Sequence, residues 1–86
     1  MPNVEETRAT IMNAHQSAQD GLGQLTQAHA SLEDSRRALQ YGVEGSYQAE
    51  ADQANAQLAE AINRIEEARQ QVVSALEDFN GVAHRM

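Results

Sequence analysis

The sequence predicts an all-α fold, a two-helix antiparallel hairpin that pairs into a four-helix bundle. Three observations predict it. An apolar line recurs every seven residues through both halves: Val4, Ile11, Ala18, Leu25, Leu32 and Leu39, then Ala51, Leu58, Ile65, Val72 and Phe79. A sustained repeat of seven marks helices that lie along one another. A ladder of small residues follows three positions behind, with Thr7, Ala14, Gly21, Ala28 and Ser35 in the first half and Ala54, Ala61, Ala68 and Ala75 in the second. Small residues let helix backbones approach closely. Between the halves stands Tyr41-Gly42-Val43-Glu44-Gly45-Ser46, whose two glycines are the strongest turn signal in the chain.

The elements follow in order. Helix one is predicted over 3–40. Asn3 is a strong N-cap, Glu6 completes a capping-box pattern, and Glu5 and Glu6 place negative charge at the positive end of the helix dipole. Arg36 and Arg37 suit the last turns, and Gly42 is the C-cap candidate. The turn occupies 41–46, with Ser46 as the cap of helix two. That helix is predicted over 47–79, ending at Asn80-Gly81, with a tail over 80–86. Glu77 and Asp78 would then face the negative end of the dipole, so the last turn should fray.

Gly21 and Gly23 sit inside helix one, where each costs about 1 kcal/mol relative to Ala. A break there would give three helices. The alternative is a continuous, locally weakened helix in which Gly21 packs tightly on Ala68, as a turn centred near Glu44 would arrange. The similar length of the two arms favours the continuous helix.

Eighty-six residues make one domain at most, and a single hairpin buries one seam. There is no Cys, which excludes disulfides and thiolate metal sites and leaves oligomerisation or a helical partner as the route to a larger core. Thirteen acids against six bases, all Arg, give a net charge of −7. That argues against nucleic acid, whose binding rests on neutralising phosphates, and against anionic membrane surfaces. No apolar run is long enough to span a bilayer. The opening Met-Pro-Asn-Val-Glu-Glu has no signal-peptide pattern, so the expected location is the cytoplasm, or outside the cell without a cleavable signal.

No residue cluster spells out a reaction, and the chain is expected not to be an enzyme. No catalytic, cofactor or metal site and no small-molecule substrate is inferred. His15 and His29 share a face of helix one but lie about 21 Å apart, too far to share a metal. Glu33, at i+4, is the sequence partner of His29. Adjacent acids such as Glu66-Glu67 point about 100° apart on a helix and do not converge on one atom. The Glu-x-x-His spacing of di-iron bundles is absent.

A basic stripe, Arg8, His15, Leu22, His29 and Arg36, flanks the apolar line of helix one, and Asn55, Ile62, Arg69 and Leu76 form the matching stripe of helix two. It reads either as a rim that fixes register or as a contact strip for an acidic hairpin. Met12, Leu22, Ile62, Val73 and Leu76 widen the apolar surface beyond one seam and form the candidate partner-binding set.

In length, layout and composition the whole chain resembles the WXG-type family of type VII secretion, the early secreted antigenic targets. The turn carries Val43-Glu44-Gly45 where that family has Trp-x-Gly, with the Gly kept and Val in place of Trp. The family's C-terminal Tyr-x-x-x-Asp/Glu export signal has no counterpart here. The resemblance implies signal-peptide-free hairpins that pair as homo- or heterodimers, and an accessory or substrate of a type VII-like system. The sequence reading is therefore a protein–protein interaction module that self-associates or pairs with another helical hairpin. The alternative is a structural or scaffolding coiled-coil element of a larger assembly.

Overall fold

A computed structural model describes residues 1–85. Helix α1 spans Val4–Gly42, a single 3-10 turn covers Gly45–Tyr47, and helix α2 spans Gln48–Arg85. The two helices pack side by side as an antiparallel all-α hairpin measuring 65 × 19 × 14 Å. Its radius of gyration is 19.4 Å. A compact domain of this length would have about 12 Å, so the molecule is a rod one helix pair thick.

Helix α1 begins as its sequence dictates. Asn3 stays extended at the N-cap, and its Oδ1 accepts from the Glu6 backbone N–H at 2.8 Å. The helix is continuous through Gly21 and Gly23, with no break between two shorter helices. It ends at Gly42, with Val43 extended. Gly42 is the last helical residue, and the left-handed conformation falls instead on Gly45, at φ 75°. A side chain there is strained, which explains the second turn glycine.

Helix α2 differs from expectation at both ends. The 3-10 turn runs directly into it, so Ser46 lies inside the opening turn rather than ahead of it as a cap. At the far end the helix passes through Asn80-Gly81 and continues to Arg85; Met86, the last residue of the expected tail, lies outside the described residues. Glu77 and Asp78 are therefore interior, and the last turn carries His84 and Arg85, which suit the negative end of the dipole. Arg85 Nε donates to the Gly81 carbonyl at 3.2 Å. Asn-Gly weakens a helix but does not stop one that still has a neighbour to lie against.

The seam joins the primary line to the flanking stripe, with the small ladder along its edge. Ile11, Leu25, Leu32 and Leu39 are half-buried together with His15, Leu22, His29 and Arg36; of the ladder, Thr7, Gly21 and Ala28 are half-buried and Ala14 and Ser35 exposed. On α2 Leu58, Ile65 and Val72 are half-buried with Asn55, Arg69 and Leu76, while Ala61 and Ala68 are half-buried and Ala54 and Ala75 exposed. Turning the stripe inward covers Leu22, Ile62 and Leu76, and full burial of such a side chain is worth about 1.5–3 kcal/mol, far more than an Ala returns. Gly21 is accordingly not a tight contact: a Cβ built on it meets nothing within 4 Å.

Candidate interaction surface

Polar groups of the flanking stripes fix the register. Arg36 Nε donates to Asn55 Oδ1 at 2.8 Å across the seam. A turn centred near Glu44 would have matched Arg36 with Asp52; the 3-10 turn moves the match one helical turn along. Arg69 Nη1 donates to Glu66 Oε2 at 2.8 Å, and His29 Nε2 lies 3.9 Å from the same oxygen. The acid facing His29 thus comes from α2 rather than from Glu33. His15 meets Phe79 edge-on, with ring centroids 5.9 Å apart. The histidines therefore belong to the seam, each with a different neighbour. Among the described residues no group of three or more His, Cys, Asp or Glu is placed to hold a metal ion.

The five apolar residues singled out in the sequence do not form one patch. Ile62 is 6% exposed and sits at the centre of the seam. Leu22 and Leu76 are half-buried further along it. Only Met12 and Val73 remain exposed, at 65% and 43%. The wide apolar stripe is consumed by the hairpin itself, because the stripe turns inward and the ladder lies along the seam's edge. In the turn motif Val43 is half-buried, whereas Glu44 and Gly45 are exposed. Tyr41 and Tyr47 flank that turn and are largely exposed.

The small-ladder side is partly covered: Thr7, Gly21, Ala28, Ala61 and Ala68 are half-buried, and Ala14, Ser35, Ala54 and Ala75 are exposed. In an antiparallel pair, a two-fold axis perpendicular to the hairpin plane relates one helix to the other without changing sides. Both ladders therefore lie on the same face. On α1 neither the ladder nor the row three residues beyond it, Thr10, Ser17, Gln24, Ser31 and Ala38, holds a charged residue. Glu5 and Glu33 fall on the other side, and Glu6, Asp20 and Asp34 on the outer edge opposite the seam. Two shallow grooves open on the α2 half of this face, one lined by Ala75, Asp78, Phe79 and Val82, the other by Gln57, Glu60, Ala61, Arg64 and Ile65. Sequence reading placed the whole ladder inside the hairpin; Ala14, Ser35, Ala54 and Ala75 stand outside it.

The fold and its surfaces define an all-α helical hairpin held by a single seam. No family model, curated protein or solved structure matches the chain. No helix among the described residues is long and apolar enough to cross a membrane.

Proposed function

We propose that the protein is a non-enzymatic interaction module, a helical hairpin that works by packing against a second helical surface, its own copy or another hairpin. One observation carries this reading: the hairpin has almost no interior. Among the described residues only Ala51 and Ile62 are buried, and no large side chain is fully covered. The accessible surface is 6518 Å², whereas a compact monomer of 9.4 kDa exposes about 5,000 Å². The excess of about 1,500 Å² exceeds the ~800 Å² per partner of an ordinary specific interface. Packing a second hairpin on the rod removes that excess and supplies the core that one seam lacks.

Within this reading, a role as accessory or substrate of a type VII-like secretion system is supported by the hairpin layout and by Val43-Glu44-Gly45 at its turn, with Gly45 in the left-handed conformation. The scaffolding alternative makes a different assembly. Light scattering over a concentration series separates the two: a paired hairpin saturates at a small fixed mass, and an open scaffold keeps growing. The secretion role is tested by expression beside a type VII machine, where export or partner capture that persists without the machine's ATPase would remove it.

A further inference from the structure

We propose that Asn80-Gly81 is a site of spontaneous deamidation that helix α2 holds in check, and that its product releases the last turns of α2 from α1.

The chemistry needs only the chain and water. The backbone N of Gly81 attacks Cγ of the Asn80 side chain. The N–Cγ bond forms, the Cγ–Nδ2 bond breaks, and Nδ2 leaves as ammonia with the proton given up by the Gly81 nitrogen. Water then opens the cyclic imide. Attack at Cγ gives aspartate, and attack at the backbone carbonyl carbon gives isoaspartate. Ring closure is easiest when Gly follows, because no Cβ crowds the attacking nitrogen. Asn80 alone among the Asn residues is so placed: Val4, Ala14, Ala56 and Arg64 follow Asn3, Asn13, Asn55 and Asn63.

The helix opposes that step. Inside α2 the Gly81 N–H is committed to the carbonyl four residues back, that of Glu77, and the attack requires this bond to open. Yet the pair lies in the last two turns, where the final carbonyls have no helical partner and where Asn and Gly are both weak helix formers. Such ends open at the lowest cost in a fold. Asn80 is exposed, so water reaches its carboxamide. Asp20-Gly21 offers the same ring with loss of water, but it stands deep inside α1, where opening costs more. The fold does not require Gly at 81: its φ is not positive, and a Cβ there would meet only Arg85 Nη2, at 3.8 Å.

Phe79, edge-on to His15, holds this end against α1. Beside that contact a cavity of about 240 Å³ is bordered by Ile11, His15 and Gln16 of α1 and by Phe79, Asn80 and Ala83 of α2. Conversion places a carboxylate at its edge and adds one negative charge to a chain already at −7. With Glu77 and Asp78 the new charge crowds the negative end of the dipole. Isoaspartate also lengthens the main chain by a methylene, so the hydrogen bonds beyond it lose their spacing. Both changes favour an α2 that ends at Phe79.

The test ages the full chain in weakly alkaline buffer at physiological temperature, with and without denaturing urea. Trypsin isolates residues 70–85, in which Asn80 is the only Asn, and mass spectrometry with isoaspartyl methyltransferase labelling measures its conversion. Asn80 is expected to convert ahead of every other Asn, roughly tenfold or more slowly in native buffer than in urea. Gly81→Ala is expected to suppress conversion in both. Phe79→Ala, which removes the contact with His15, is expected to speed it several-fold in native buffer only, and Val73→Ala to leave it unchanged. Circular dichroism verifies that each variant is helical; if Phe79→Ala unfolds, His15→Ala removes the same contact from the other helix. Equal rates in buffer and urea, or a contact variant that acts equally in both, overturn the control by the helix. A native chain that never converts while the chain in urea does overturns the site. Converted chains, separated by ion exchange, are expected to lose helix and to show His15 ring protons free of the shift from Phe79. Unchanged dichroism and unchanged His15 signals overturn the release.

Discussion

Arg36 reaches across the seam and its Nε donates to Asn55 Oδ1 at 2.8 Å in a half-buried setting. It is the one side-chain hydrogen bond between the helices among those of the described residues. It locks the register near the turn, where Leu39 and Ala51 begin the apolar line. Arg36→Ala and Asn55→Ala are expected to be non-additive, with a coupling of about 1 kcal/mol in urea unfolding. Additive losses would mean that the two side chains do not meet in solution.

Ile62 is the most enclosed large residue of the hairpin, at 6% exposure, and Met12 is 65% exposed. Ile62→Ala is expected to destabilise by about 2–4 kcal/mol, through lost burial and the cavity left behind. Met12→Ala is expected to change stability by less than about 0.5 kcal/mol. Similar losses at both positions in denaturant titrations would contradict the seam described here.

The hairpin was legible because its signals are local and periodic. Asn3 caps α1 through a side-chain bond that its residue type announces, and the glycines of 41–46 mark the turn. The face that pairs was less legible. A repeat of seven shows that two adjacent rows flank the primary line, but not which of them turns inward. That is settled by the volume of Leu22, Ile62 and Leu76 against the small ladder, a comparison between helices rather than along one. The end of α2 was misplaced for a related reason. Asn80-Gly81 carries a local stop signal, yet Phe79 still packs on His15 and Arg85 bonds back to Gly81, so the helix continues.

Gly45 and Gly42 separate conformational need from open space. Gly45 sits at φ 75°, and Gly45→Ala is expected to lower stability by about 1 kcal/mol. Gly42 is helical, with nothing within 4 Å of a built Cβ, and Gly42→Ala is expected to be neutral or mildly stabilising. Thermal melts of the two single variants check the assignment; a larger loss at Gly42 would move the left-handed residue of the turn.

Gly21 and Gly23 both stand in open space within a continuous helix. Gly23→Ala is therefore expected to stabilise by up to about 1 kcal/mol through helix propensity. Gly21→Ala is expected to gain the same term, since a Cβ there also meets nothing within 4 Å. Thermal melts of the two single variants check this; a loss at either position would mean that the helix is not continuous through this segment.

The central claim is that this rod is half of a larger bundle, and sedimentation equilibrium over a wide micromolar range tests it most directly. The account expects a mass that rises with concentration and levels at twice the 9.4 kDa of one chain. A mass fixed at 9.4 kDa into the high micromolar range would contradict it.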